Sequence, residues 1–256
     1  MFMNLQDILK EIRHADNDYQ LFEQNDRIAI GLSGGKDSVT LLHILKNFQK
    51  FSPAKFELIA ITLNPGDVDN GPLHKLCKEI DVPFYEIQTD IAKIVFDIRK
   101  EKNPCSLCAK MRKGALNDAV KEMGCNKVAD AHHKDDIIET MMLSLIFEGR
   151  FYSFSPKSYL DKTGLTLIRP LMYASEYDIK GFQNKMDLPV AKNPCPVDGH
   201  TKRQYVKDLI NGLNKEYPGI RERFFTAILE GNIKGWPPRN PKKPRTKSTK
   251  NNEKSE

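Results

Sequence analysis

A chain of 256 residues that is 39% hydrophobic can bury one large core or two small ones. Its apolar runs all fall short of the ~20 residues that a bilayer-spanning helix needs, and five cysteines, an odd number, with no secretion signal argue against a disulfide scaffold. The net charge of +6 is concentrated at one end: from Pro237 to Glu256 there are seven basic and two acidic residues, so the tail carries +5 and the body about +1. Bulk charge therefore does not establish a nucleic-acid substrate. The Pro, Ser, Thr and Asn content of the tail predicts disorder, which serves solubility or a salt-sensitive attraction to a nucleic-acid backbone equally well.

From Met1 to about Phe22, apolar residues at Leu5, Ile8, Leu9 and Ile12 predict an amphipathic helix that packs beside the main domain or a partner subunit, with packing the favoured reading. Asp7, Lys10 and Glu11 within it argue against a signal peptide, so a cytoplasmic location is expected. The run Ile28-Ala29-Ile30-Gly31-Leu32 reads as a strand. It opens through Ser33-Gly34-Gly35-Lys36-Asp37-Ser38 into a helix with an apolar stripe at Val39, Leu41, Leu42, Ile44 and Leu45. Such a strand-turn-helix gathers backbone N–H groups around one point and suits a phosphate. Gly34 and Gly35 admit close backbone approach, Ser33 and Ser38 add hydroxyls, and Lys36 adds a full charge. The adjacent glycines and the acid inside the turn separate it from the Gly-x-x-x-x-Gly-Lys-Ser/Thr loop. Further strands are expected at Phe56–Leu63, Phe84–Ile87, Lys127–Ala131 and Leu165–Ile168, with helices between them. The alternation predicts an α/β fold with a parallel sheet covered on both faces and a ligand at the carboxyl ends of its strands.

Two segments repeat one local sequence, Lys102-Asn103-Pro104-Cys105 and Lys192-Asn193-Pro194-Cys195, and the first continues to Cys108 as a Cys-x-x-Cys pair. Proline before cysteine suggests loops that present a thiolate. Three thiolates suit either an iron–sulfur cluster with one open iron or zinc completed by His200, while Cys77 and Cys125 read as small buried apolar residues. After the strand at Lys127–Ala131 comes His132-His133-Lys134-Asp135-Asp136, leading into the apolar helix Ile137–Phe147. Neighbouring carboxylates there can hold Mg²⁺ or accept a proton, and consecutive ones cannot point the same way, so separate tasks are expected, with a solvated helix N-terminus as the competing reading for Asp135. The segment Phe151 to Lys157 mixes aromatics with a base in an expected loop that could stack on exposed RNA bases, with core packing accounting for at least two of its aromatics. Lys202 and Arg203 suggest a local phosphate-binding patch.

Ser33–Ser38, Cys105-x-x-Cys108, His132–Asp136, Arg169-Pro170-Leu171 and Pro194-Cys195, in this order over about Asp16 to Tyr205, resemble the TtcA/TtuA family of iron–sulfur-dependent tRNA thiolation enzymes. These belong to the PP-loop ATPase superfamily, and the resemblance is nearest to the TtcA branch, which makes 2-thiocytidine. The implied fold is the Rossmann-like PP-loop ATP pyrophosphatase (adenine nucleotide alpha-hydrolase-like) fold with an N-terminal helical segment. The implied organisation is a helical segment over 1–25, the pyrophosphatase domain with the cysteine site over 26–235, and the basic tail over 237–256.

The implied activity is ATP-dependent adenylation of the C2 carbonyl of a tRNA pyrimidine, cytidine 32, followed by replacement of oxygen with sulfur. The resemblance implies that Ser33, Gly34, Gly35, Lys36, Asp37 and Ser38 hold the phosphates, with Leu63 and His132 also lining the nucleotide site. It further implies that Mg²⁺ takes Asp37 or Asp136, and that Cys105, Cys108 and Cys195 bind a [4Fe–4S] cluster. Cys108, Arg112 and Asp136 then take part in catalysis. The partners it implies are tRNA, a sulfur donor such as a cysteine desulfurase or sulfide, and a second copy in a homodimer, with no membrane. Ala131 stands where the family usually has glycine, and Asp198 where many members carry another cysteine, yet three thiolates remain. The rival readings are a PP-loop enzyme acting on a small molecule or another tRNA nucleoside, and a non-catalytic RNA-binding protein.

Overall fold

The computed structural model describes residues 4–66, 68–99, 104–191 and 202–239. Six strands, β1 (Asp26–Gly31), β2 (Phe56–Asn64), β3 (Phe84–Gln88), β4 (Lys127–Ala129), β5 (Lys157–Leu160) and β6 (Leu165–Ile168), form one sheet in the order β3-β2-β1-β4-β6-β5. Around it lie helices α1 (Leu5–Tyr19), α2 (Lys36–Phe48), α3 (Gly71–Glu79), α4 (Pro104–Glu122), α5 (Lys134–Glu148), α6 (Glu176–Lys185), α7 (Lys202–Glu216) and α8 (Ile220–Glu230), with a π-helical turn at Lys93–Ile98. Among the described residues no helix is long and apolar enough to cross a membrane.

All five expected strands are present, but the sheet is not wholly parallel. β5 and β6 pair antiparallel, while β1–β2, β2–β3, β1–β4 and β4–β6 are parallel. The tight turn after Leu160, closed by the Gly164 N–H on the Leu160 carbonyl (2.9 Å), leaves no length for the crossover that parallel pairing requires. β4 is also shorter than expected, ending at Ala129, so Asp130 and Ala131 leave the sheet and belong to the loop above it.

Alternate residues of each strand serve different cores. Ile28, Ile30, Leu58, Ala60, Ala129 and Ile168 face a large core shared with α1, α2, α5, α6, α7 and α8. Ala29, Ile59, Ile61, Val128 and Leu167 face a smaller core closed by Ala119 and Val120 of α4. Residues one apart on a strand point to opposite faces, so a continuous apolar run is what a sheet buried on both sides demands. α1 begins with a reciprocal cap between Asn4 and Asp7, and its Ile8, Leu9 and Ile12 are fully buried in the large core, as the packing reading expects.

At the amino ends of the strands, the buried Lys127 Nζ lies 2.7 Å from the buried Asp26 Oδ2 and donates to the Leu21 carbonyl at 3.0 Å. Asp26 also accepts from the Glu23 N–H and Asn126 Nδ2, which satisfies the pair. The opposite, carboxyl ends are left for binding. The chain leaves β1 for β2 on one side and β4 lies on the other, so the strand order reverses between the loops that follow β1 and β4.

Candidate active site

A cleft of about 580 Å³ opens at that reversal. Its walls are Leu32, Ser33 and Gly35 from the loop after β1 with Asp37 and Ser38 at the start of α2, Leu63 from β2, and Asp130, Ala131 and His132 from the loop after β4 with Asp136 at the start of α5. Ala109, Arg112, Lys113, Leu116 and Asn117 of α4 lie across from them, with Phe154 and Arg169 beside His132.

The first loop has the geometry of an anion cradle. Gly34 adopts φ +78°, which L residues with a Cβ rarely tolerate, and Gly35 caps α2 with no side-chain hydrogen bond. The first amides of α2 consequently lack intrahelical partners and point outward. Ser38 Oγ donates to the Gly35 carbonyl (3.0 Å) and lies 3.1 Å from Ser33 Oγ, which fixes the turn from inside. Lys36 does not line the cleft. Its ammonium lies 3.0 Å from Asp37 Oδ2 and 3.1 Å from Glu176 Oε1, and these carboxylates raise its pKa even though burial works against them. Glu176 itself, which burial alone would push up, is held down at about 2 by Lys207 and Lys36.

Above β4, His133 caps α5. Its Nδ1 accepts from the Asp136 N–H (3.3 Å) while Asp136 Oδ2 accepts from the His133 N–H (3.1 Å). His133 Nε2 lies 3.3 Å from Asp136 Oδ2 and 3.9 Å from Asp37 Oδ1, joining the acids of the two loops. Asp37 Oδ1 is buried yet has no hydrogen-bond partner among the described residues. An orphaned carboxylate oxygen in such a place fits a hard divalent cation. The two consecutive acids meet different partners. Asp135, however, is not a solvated helix end: it is buried, accepts from the Glu176 N–H at 2.7 Å and pairs with Arg221, so it ties α5 to α6 and α8.

His132 lines the cleft and stacks on Phe154 (4.1 Å between ring centroids). Its Nδ1 accepts from Arg169 Nε at 3.3 Å and lies 3.2 Å from Asp130 Oδ2. Arg169 is buried, donates to the Ser155 carbonyl and lies 4.9 Å over the Phe154 ring, and burial pulls its pKa down. Burial would raise the Asp130 carboxyl, but His132 and Arg169 outweigh it and hold it below the ordinary value. The sequence placed Arg169 in a motif but assigned it no task; a charged residue directly after the apolar strand Leu165–Ile168 was the available signal. Glu176 carried no such signal, and Asp130 was hidden inside the expected strand Lys127–Ala131, which ends at Ala129.

Cys105 and Cys108 stand in the first two turns of α4, not in a loop. Pro104 opens that helix, a position where proline's missing N–H would be unsatisfied anyway. Cys105 is exposed and Cys108 half-buried, three residues apart and hence on one helix face. Ala109, the residue directly after Cys108, begins the part of α4 that lines the cleft, with Arg112 one turn further on, so Cys108 lies only about 1.5 Å along the axis from the nucleotide wall. Gly31 lets α4 pack this closely, since a Cβ there would sit 2.8 Å from Leu116 Cδ2. Cys195, with its Pro194, and His200 lie outside the described residues. Cys77 and Cys125 are buried, and burial pushes the Cys77 thiol up to about 11 and Cys125 upward, which keeps both protonated. Accessible thiols at the site and inert ones elsewhere fit a thiolate-bound metal centre at Cys105 and Cys108.

Other expectations are redirected. Phe151 and Tyr152 are exposed, so only Phe154 of the three aromatics in that loop is packed. Lys157 Nζ is occupied by the Gln20 carbonyl (2.7 Å) and Glu23 (2.8 Å). Arg203 is paired with Asp136 and Glu139, and Lys202 lies over the Phe147 ring at 4.6 Å.

The chain matches the PP-loop domain family over residues 4–212. It is 38% identical over 224 residues to the tRNA-cytidine(32) 2-sulfurtransferase of Shewanella baltica, covering 86% of this chain and 72% of that one. The enzyme of the same description from a Marinomonas species is 38% identical over 216 residues, covering 82% and 77%. Among solved structures, the U34-tRNA thiolase NcsA from Methanococcus maripaludis with its [4Fe-4S] cluster superposes with a TM-score of 0.71 at 25% identity, over 88% of this chain and 77% of that one.

Proposed function

This chain belongs to the PP-loop family and, within it, to the tRNA-cytidine(32) 2-sulfurtransferases, and we propose how its own residues carry out ATP-dependent thiolation of tRNA. The observation that carries this reading is the continuity of one cleft from the anion-binding turn at Ser33–Ser38 to the helix that bears Cys105 and Cys108. A phosphate cradle alone suits any ATP chemistry. A phosphate cradle whose cleft reaches Ala109, next to Cys108, suits activation followed by sulfur transfer.

In the first step the C2 oxygen of a tRNA pyrimidine, cytidine 32 in the relatives' reaction, attacks the α-phosphorus of ATP. A new O–P bond forms and pyrophosphate leaves. The free amides at the start of α2, with Ser33, Gly34, Gly35 and Ser38, would hold the phosphates, and Lys36 would exchange Asp37 for the charge of the leaving group. Asp37 Oδ1 and Asp136 would hold Mg²⁺ on the phosphate oxygens, a reading supported by the unpartnered Oδ1. Leu63 and His132 would flank the nucleotide from the two sides of the cleft.

In the second step sulfur adds to C2, and AMP leaves with the original oxygen. Cys105, Cys108 and Cys195 would hold a [4Fe–4S] cluster, which when bound keeps one iron free of protein ligands for a sulfur atom supplied as sulfide or by a cysteine desulfurase. Arg112, between the thiols and the phosphates, would stabilise the negative charge that develops as AMP departs. A homodimer and a cytoplasmic location complete the proposal on the resemblance alone, and sedimentation of the purified protein tests the first. The decisive test is mass spectrometry of tRNA nucleosides from cells with and without the gene. Loss of 2-thiocytidine on deletion, restored by the wild-type gene and not by Asp136→Asn or Cys108→Ser, is expected; an unchanged nucleoside profile would refute the reading.

A further inference from the structure

Asp136 is reached from behind by a residue that does not line the cleft. Arg203, in the first turn of α7, extends to α5 and places NH1 3.1 Å from Asp136 Oδ1 and 3.3 Å from Glu139 Oε2, while NH2 lies 3.2 Å from Thr140 Oγ1. The three acceptors sit at positions i, i+3 and i+4 of α5, one face of the helix. Glu139 and Thr140 are buried, with Glu139 only 4% exposed. The guanidinium carbon also lies 6.0 Å from the centroid of Phe154, the ring on which His132 stacks.

We propose that Arg203 is a positioning residue for the Asp136 carboxylate, anchored by Glu139 and Thr140 so that Asp136 presents one fixed orientation to the nucleotide. The geometry supplies the reason. Asp136 Oδ2 is oriented by the His133 N–H, and Oδ1 by Arg203, so the carboxylate plane is defined at both oxygens. An ammonium would have to meet all three acceptors from one nitrogen, whereas the planar fork of arginine divides them between NH1 and NH2. Glu139 does not line the cleft; burial and the neighbouring Asp136 push its pKa up to about 7, and the guanidinium that lies against it is the one that holds Asp136. This inference rests on the proposed role of Asp136.

The test follows pyrophosphate release by the cluster-loaded enzyme in the presence of tRNA, for wild type, Arg203→Ala, Arg203→Lys and Asp136→Asn. Arg203→Ala is expected to lower kcat at least tenfold while the KM for ATP moves less than about threefold, and millimolar ethylguanidinium is expected to restore several-fold of the loss without affecting wild type. Arg203→Lys, which keeps the charge, is expected to lose at least fivefold and to gain nothing from ethylguanidinium. Wild-type kcat in Arg203→Ala, or a loss that follows thermal stability and resists ethylguanidinium, would overturn the proposal. If Arg203→Ala fails to fold, Arg203→Lys decides, and full activity there overturns it equally. Asp136→Asn separates the layers: full activity in that variant removes the role of Asp136 itself, whereas an inactive Asp136→Asn beside a fully active Arg203→Ala removes only the inference.

Discussion

Gly34→Ala tests the phosphate turn most directly, because two independent penalties can be separated. Gly34 has φ +78°, and placing a Cβ in the left-handed region costs roughly 1–2 kcal/mol. The new methyl would also sit 2.7 Å from Ala191 Cβ, with Leu73 Cδ1 at 3.6 Å. Overpacking of this kind costs about 1–3 kcal/mol. The expected total is about 2–5 kcal/mol, a fall in Tm on the order of 5–20 °C for a chain of this size. Ala191→Gly removes the opposing methyl and keeps the hydrogen bond from its N–H to the Gly34 carbonyl (2.9 Å). The double variant should therefore recover the packing share, about 1–3 kcal/mol, and retain the dihedral share. Thermal denaturation of all four proteins without nucleotide measures the stability cycle, and titration calorimetry with ATP shows whether affinity follows loop geometry. A Gly34→Ala protein within a degree or two of wild type, or a double variant no more stable than the single one, would refute this account of the turn.

Three further outcomes follow from the same structure. Glu176 has its pKa depressed from 4.5 to about 2, so its contribution is full above the unfolded value and disappears as pH falls toward about 2; Glu176→Gln should flatten the acid side of the stability profile by about 1–2 kcal/mol after allowing for solvent screening, and an unchanged urea midpoint between pH 5 and pH 3 would contradict this. Removing one partner of the buried Lys127–Asp26 pair by Lys127→Met should cost about 3–5 kcal/mol in urea denaturation, with part of it recovered in the Asp26→Asn double variant. With the cluster removed, iodoacetamide at pH 8 should label Cys105 and Cys108 quickly and Cys77 and Cys125 only on unfolding, and the loaded enzyme should protect the first pair; equal labelling of all four would show that burial does not govern their reactivity.

Much of the architecture was legible because local chemistry dictates it. Continuous apolar runs of strand length marked a sheet buried on both faces, and the glycine pair after Ser33 marked a sharp strand-to-helix turn with φ above zero at Gly34. The isolated Cys77 and Cys125 read correctly as packed residues, since nothing around them in sequence offered a partner for a metal. The short β5 escaped notice because Lys-Ser-Tyr-Leu has no alternating apolar pattern; its strand character comes from pairing with β6 across the turn that follows Leu160. Cys105 and Cys108 looked like loop residues because proline precedes them, but proline opens a helix as readily as it ends one.

By itself the sequence determined the order of the elements, the phosphate turn and the identity of the thiols and acids, because each depends on residues a few positions apart. Tertiary structure decided which charges are spent and which are free. Lys36 is shared with Glu176, Asp135 with Arg221, and Asp136 with Arg203, partners separated by 67 positions in the last case. It also left Asp37 Oδ1 unpartnered beside His133. Side chains so far apart in sequence meet only after the sheet has brought the loops after β1 and β4 to one edge, so the task of each acid is a property of the fold and not of the motif that contains it.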